Sequence, residues 1–573
     1  MFNDTSSIRN ALFSFGFFLT LLGGARCAAE KDQNALEMHL ARAVEEAAFV
    51  SEGPDEVIST KYLRAHHPPY LGQGTHTKWF LGEYSYRSGA NISVPSRGQH
   101  ISGTDLGSSV HLRGRDFFYL GDTFWPGRVE CARRPFKKHM LAAGCAPNAC
   151  CNDAIVVSDD RDPTDGTDVG IPLVHSKARS AVYKPLVIPG IHDNPNFLNG
   201  FWRRNLDPNY TAPGGAGVVQ GLTNHPGPRV LLWYSTAIWP QGRISRERYP
   251  YRAPRSYVVL SENGYDFESL IKNARGEPVP FSMDREGAPA KFLCTSPVEI
   301  SAPQLAAGCD AGSAEKRLLC RLPSEYRSQG GILVFGSGRN YRLSPLYLAY
   351  LSHAHLARED GFHTLFARRD AGGGWRWSPK ESAATPIIGG EYLEQQLFRE
   401  ACLEKTDFWG CVAVVKDLAG SGHVDQPTDL FGEISVKLIL DGPRGMEPTL
   451  VMLSNHQRSS SSQRSIAARE NADHLKAYLR DVFVHVRTTS LYSPELWESP
   501  PAATGARGYG PYIIDRHTHY EPARAELVLW HVLSLWRGPP MSDFKRHSQY
   551  GMATNQVRIP WPVRQPGMTG GGR

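Results

Sequence analysis

Asp105 and Asp122 are the residues of this chain best placed to do chemistry together. The first lies in Gly103-Thr104-Asp105-Leu106-Gly107, the second in Leu120-Gly121-Asp122-Thr123-Phe124. Between them, Ser108 to Leu112 and Phe117 to Leu120 are mostly β-formers, with Arg113 and Gly114 at the midpoint. A two-residue turn there, with Gly114 at positive φ, sets Leu112 opposite Arg115, and the same register sets Asp105 opposite Asp122. Facing Cα atoms on antiparallel strands are about 4.5–5.5 Å apart. Carboxylates that close repel, so one holds its proton while the other stays charged. That division of labour is what glycosidic bond cleavage needs. Either motif alone is usually an Asx turn. Their placement at matched ends of one hairpin singles them out.

The elements that must carry such a pair are short strands. The chain has 573 residues, 41% hydrophobic and 21% charged, with 55 Gly and 41 Pro. Glycine and proline separate short apolar runs, the pattern of an all-β protein with many turns. The clearest strand runs are Ala154–Ser158, Val218–Gln220, Val230–Ser235, Tyr257–Ser261, Gly331–Phe335, Leu346–Leu351, Ile434–Leu440 and Leu450–Ser454. Helical spacing is scarce, at Glu30–Ala48 and at Asn471–Val484. Polar turns after strands, Ser158–Pro163, Ser261–Phe267 and Asp370–Trp377, suggest the blades of a propeller. A formal charge of +6 spread along the chain is a solvated surface and gives no reason to expect nucleic acid as a partner.

The apolar run Ala11–Leu22, followed by Gly-Gly-Ala-Arg-Cys-Ala-Ala, has the order of a secretory signal peptide over residues 1–28 and is short for a membrane span. Later residues contain no stretch apolar enough to span a bilayer, so the protein is expected to be exported, to the periplasm or beyond. The expected layout is an N-terminal helical extension over 29–75, the propeller over 76–562 and a disordered tail over 563–573. The ten cysteines cluster locally, as at Cys145, Cys150 and Cys151 or at Cys294, Cys309 and Cys320. In an exported protein these read as disulfide staples, since zinc-ligand spacing is missing. Asp159, Asp160, Asp162 and Asp165 lack the glycine spacing and terminal Glu of a calcium loop and read as a solvated acidic turn. No metal or cofactor is expected.

These strings, in this order from about Gly98 to Pro540, resemble one family: the domain of unknown function numbered 4185, part of which is glycoside hydrolase family 183, the endo-acting D-arabinanases. Gly103–Gly107 and Leu120–Phe124 stand in the places of its Gly-Thr-Asp-Leu-Gly and Phe-Gly-Asp-Thr-Phe strings. Asn152-Asp-Ala-Ile-Val-Val-Ser158, Tyr341-Arg342-Leu-Ser344, Gly432-Glu433-Ile434-Ser435-Val436 and Tyr509-Gly510-Pro511 are similar to later ones. The resemblance implies a five-bladed β-propeller, with loop insertions such as Arg128–Cys151 and Glu277–Cys320, that cleaves a furanoside polysaccharide through Asp105 and Asp122. Which of the two is the acid stays open, as does retention or inversion. Around them Asn152, Tyr341, Arg342 and Glu433 match the family's strings and are candidate substrate-binding residues. Glu433 would orient a sugar or tune the acid, and Arg342 would clamp hydroxyls. Trp125 and Trp233 are candidate stacking platforms, as is Trp375, although tryptophan in all-β proteins more often packs in cores. The alternative is a carbohydrate-binding propeller without turnover. The sequence sets no oligomeric state.

Overall fold

The computed structural model describes strands at 56–59 and 77–81 and, with short breaks, residues 103–124, 151–189, 206–240, 252–387, 430–457, 482–490, 509–536 and 550–561. The expected helix at Glu30–Ala48, the signal segment and the tail lie outside these residues.

The described chain is a β-propeller. Its first sheet contains β1 (Glu56–Ser59), β3 (Gly103–Leu112), β4 (Arg115–Phe124), β5 (Cys151–Ser158), β6 (Gly170–Ser176) and β7 (Arg179–Tyr183). The second holds β8 (Leu206–Val219), β9 (Arg229–Pro240), β10 (Arg252–Ser261), β11 (Glu268–Ser269) and β12 (Ser282–Met283). The third holds β13 (Cys294–Ile300), β14 (Gly331–Ser337), β15 (Leu346–Ser352), β16 (Thr364–Arg369) and β17 (Trp375–Ser378). A fourth has three strands, β18 (Leu430–Ile439), β19 (Thr449–Gln457) and β20 (Val482–Ser490). The last joins β2 (Thr77–Leu81) to β24 (Tyr550–Pro560), β23 (Glu526–Trp536), β21 (Tyr509–Ile513) and β22 (His519–Glu521). Among the described residues, complete blades of four or more strands therefore number four against the five expected, the three-stranded β18–β20 sheet falling short.

The innermost strands β3, β8, β13, β18 and β21 pack side by side around an axis, each against the next and β21 against β3. Serine hydroxyls stitch most of these seams. Ala216 N–H donates to Ser108 Oγ (2.6 Å), Val436 N–H to Ser296 Oγ (2.8 Å) and Ile513 N–H to Ser435 Oγ (2.9 Å), while Ser109 Oγ donates to the Ile513 carbonyl (2.6 Å). Strand edges carry backbone groups that need partners once buried. A short hydroxyl side chain supplies them without separating the blades. Between β8 and β13 the approach is closer still: a Cβ on Gly215 would run into the Thr295 carbonyl.

Alternate residues of each central strand feed two different cores. On β9, Val230, Leu232 and Tyr234 pack with Tyr119, Ile155 and Phe267 against the first sheet, while Leu231 and Trp233 pack with Phe292 and Tyr347 against the third. Burial on both faces explains the near-continuous apolar run Val230–Tyr234. Trp233 is therefore no sugar platform: it is 0% exposed and meets Phe281 edge-on at 5.6 Å. Trp375 likewise lies in the core between the third and fourth sheets.

Other expectations shift in detail. Residues 56–59, placed in a helical extension, form a strand that pairs with β6. The helix expected over Asn471–Val484 is contradicted at its end, where Val482–Val484 belong to β20. The segment Val482-Phe-Val-His-Val486 pairs residue by residue along β19, and this ladder overrides local helical spacing. Two of the polar turns follow the third strand of their sheets, after β5 and β10, but Asp370–Trp377 follows a fourth strand, so the repeat is not strict. The turn after β10 does carry aromatic anchors, Tyr265 and Phe267, which meet Phe117 and Tyr119 edge-on. A disulfide, Cys309–Cys320, closes a local loop as expected of a staple.

Candidate active site

The hairpin that carries both aspartates forms as the sequence suggests. Arg113 (φ 50°) and Gly114 (φ 86°) make the two-residue turn, and Leu112 pairs with Arg115. The register then slips. Ser108 pairs with Tyr119 but Leu106 pairs with Leu120, so Gly107 is an extra residue, a bulge at φ 133°. Asp105 consequently pairs with Gly121, and the expected direct opposition to Asp122 is corrected by one position. The reason lies far along the sequence. A Cβ at residue 107 would stand 2.5 Å from Met552 Cε, the free end of a flexible side chain, and 3.1 Å from Val532 Cγ2, so the last blade presses on β3 there, and the φ of 133° favours glycine.

A second irregularity follows on each side of Asp122. Gly103 pairs with Phe124, and between β4 and β5 the pairs Leu120–Ala154 and Thr123–Asn152 leave Gly121 and Asp122 facing the single residue Asp153. Bulges of this kind re-aim side chains and gather beside active sites. Two buried threonines clasp the distorted backbone. Thr104 Oγ1 donates to the Gly121 carbonyl (2.9 Å) and lies 2.8 Å from Thr123 Oγ1, and both residues are 0% exposed. Thr104 precedes one aspartate and Thr123 follows the other. The sequence reading passed over both, although a hydroxyl residue abutting each acid was the available signal.

Asp105, Asp122 and Asn152 thus sit at one end of three consecutive strands of the first sheet. Glu433 belongs to the same end. Ser109 of β3 and Ser435 of β18 both bond Ile513 and so share a level on the axis. Asp105 lies four residues, and Glu433 two residues, toward the start of their strands from that level. Glu433 is 1% exposed. Trp125, Tyr341 and Arg342 lie outside the described residues.

From the serine level toward the other end, the axis holds a cavity of about 210 Å³ lined by all five inner strands. His111, Glu299, Lys437 and Asp515 stand among its lining. Lys437 Nζ meets Asp515 Oδ1 at 3.0 Å, and Glu299 Oε1 lies 3.1 Å from His353 Nε2. Close by, His111 Nδ1 is 2.7 Å from Asp116 Oδ1. Burial pushes the Asp116 carboxyl up, and burial likewise pushes His517, 3.8 Å from Asp116 Oδ2, down to about 4. The two ends differ in kind: a bulged, threonine-clasped end bearing candidate acids, and an end where Lys437 is held by Asp515. Among the described residues no group of three or more His, Cys, Asp or Glu could hold a metal ion. The acidic run after β5 is a turn, with Asp162 Oδ1 accepting from Thr164 N–H (3.0 Å).

No protein-family model and no curated protein matches this chain. Solved structures do. A Trypanosoma rangeli sialidase mutant displaying trans-sialidase activity is 6% identical with a TM-score of 0.33, over 83% of this chain, which spans only 46% of the sialidase. CoXyl43, a β-xylosidase/α-arabinofuranosidase from a compost microbial metagenome, is 10% identical with a TM-score of 0.30, over 82% of this chain and 97% of its own. An exo-1,5-α-L-arabinanase from a bovine ruminal metagenomic library is 9% identical with a TM-score of 0.31, over 81% and 97%. Likenesses this distant carry no chemistry across.

Proposed function

We propose that the protein is an exported glycoside hydrolase that cleaves a furanoside polysaccharide of the D-arabinan kind, with Asp105 and Asp122 as its acid/base pair. The observation that carries this is positional. Two aspartates from adjoining strands lie at one end of the first sheet, each within two residues of a glycine. The backbone between them is bent by two bulges and clasped by buried threonines. The motif resemblance to the family 183 arabinanases supports the substrate class. One aspartic acid gives its proton to the glycosidic oxygen as the C–O bond breaks. The other, as a carboxylate, takes a proton from the attacking water or forms the bond to the anomeric carbon itself. Asn152, at the same end, would hold sugar hydroxyls, and the buried Glu433 would act behind it, tuning the acid.

The test is hydrolysis of arabinan and of a panel of other furanosides, followed by chromatography of released oligosaccharides. Asp105→Asn and Asp122→Asn should each lower kcat by about 10²–10⁴-fold while leaving polysaccharide binding nearly intact. Binding by the wild type with no release from any substrate would replace the hydrolase with a carbohydrate-binding propeller.

A further inference from the structure

The axial cavity opens away from the candidate acids. At its mouth stand the side chains of His111 and Asp515, 37% and 48% exposed, with Glu299 and Lys437 set deeper. Its floor is the serine level, where Ser108, Thr295 and Ser435 are buried. These three residues come from β3, β13 and β18, and their hydroxyls have hydrogen-bonding capacity to spare. Ser108 and Ser435 each accept one backbone N–H, and among the described residues their own O–H protons meet no acceptor. Thr295 Oγ1 has no partner at all. It faces β8 at Gly215, where a Cβ would stand 3.1 Å away, and the missing side chain leaves that space to the cavity. A buried hydroxyl left unmet costs free energy, so three around one hollow mark an occupant that meets them.

The mouth supplies acceptors. Glu299 Oε1 accepts from Gln220 N–H (2.7 Å), leaving Oε2 uncommitted. Lys437 Nζ donates to the Asp515 carbonyl (2.8 Å) and meets Asp515 Oδ1, leaving Oδ2 uncommitted. His111 Nδ1 is engaged by Asp116, and Nε2 is left over. This chemistry narrows the occupant. Lys437 is the one Lys or Arg of the lining and is already held by Asp515, so no cation is spare for an anion. The donor set does not suit a metal ion. Hydroxyls and charges on the walls do not suit an apolar ligand. A volume of about 210 Å³ falls below the about 300–1,000 Å³ of sites for drug-sized molecules, which leaves room for one sugar ring. A neutral polyol satisfies both levels at once, since each of its hydroxyls donates and accepts.

We propose that this cavity is a second binding site, for one neutral sugar ring, whose hydroxyls accept from the floor at Ser108, Thr295 and Ser435 and donate to Glu299 and Asp515 at the mouth. The ring is either a free monosaccharide or the end of a glycan chain whose remainder lies outside. The cavity shares no lining residue with the candidate acids, so the proposal stands apart from the hydrolase reading.

The experiment is isothermal titration calorimetry of the full chain with D-arabinose and with D-arabinonate, its anionic counterpart. The wild type should bind D-arabinose with a millimolar Kd and the anion about tenfold more weakly or worse. Thr295→Val removes the unmatched hydroxyl at nearly constant shape and should weaken sugar binding about three- to tenfold. Glu299→Gln keeps the acceptor for Gln220 but loses the free one, and should weaken binding about tenfold or more. Thr295→Val breaks no bond within the chain, so it reports even if Glu299→Gln fails to fold. A furanoside trisaccharide, titrated into Asp122→Asn with and without Thr295→Val, tells the two sources apart. Weakening of the trisaccharide as well upholds the site as the seat of a chain end, and weakening confined to the monosaccharide upholds it as a site for free sugar. A Kd unmoved by Thr295→Val and Glu299→Gln would put the sugar elsewhere and overturn the proposal. No heat with D-arabinose, which leaves the cavity to water, or a preference for the anion overturns it too. None of these readouts needs turnover, so a chain that cleaves no furanoside can still uphold the site.

Discussion

Single residues in this propeller are tuned by burial as much as by neighbours. His531, on β23, is 0% exposed and neither ring nitrogen has a hydrogen-bond partner. Burial lowers its pKa to about 3. A histidine held neutral in the folded chain but free to charge near 6.5 when unfolded costs stability as pH falls. The unfolded state binds the extra proton throughout the window from about 6.5 to about 3. At pH 4 the penalty is about 3 kcal/mol. His531→Leu should therefore flatten the decline in melting temperature between pH 7 and pH 4, most visibly at the acid end. An identical decline in wild type and variant would show that His531 is not the group responsible.

Strands and turns were the most legible features, and registers the least. Every strand run named from sequence overlaps an observed strand, and the Arg113-Gly114 turn is where the spacing put it. Both acids were found on adjoining strands at one end of a hairpin. The error of one position at Asp105 comes from the bulge at Gly107, which packs against Val532 and Met552 from the opposite end of the chain. Local patterning cannot see such a contact. The same holds for Trp233, which alternation on β9 turns into a core between sheets, and for Asp153, which bonds a tyrosine of the next blade. Gly107→Ala tests this at the scale of the element. It must meet both a strained φ and a 2.5 Å contact, so about 1–3 kcal/mol of stability should be lost. The register of β3 near Asp105 should loosen too, and hydrogen exchange at Leu106 and Gly107 would read it. Unchanged exchange and melting would mean that β3 tolerates the side chain.

The described sheets form a ring whose seams are closed by small groups: serine hydroxyls, a tyrosine–aspartate bond and a glycine pressed against a carbonyl. Its closure also depends on segments distant in sequence. β1 lies on the outer edge of the first sheet, while β2 lies on the outer edge of the last, paired with β24. Of Lys78 and Trp79, neighbours on this edge strand, one N–H points into the β2–β24 ladder, and proline at that position should lower stability by about 1–3 kcal/mol while proline at the other costs less. Thermal unfolding followed by circular dichroism would register it. No change would mean that β2 is dispensable to the ring.

The pairing of Thr77 with Asn555 has a kinetic consequence. Strands separated by nearly the whole chain meet only after a large loss of loop entropy, and topologies rich in such pairings fold slowly. Until residues 550–560 are available, β2 has no ladder to join, and the edge of the final sheet stays open to other strands. Refolding of this chain should be slowest, and most prone to misassociation, at the step that brings its two ends together.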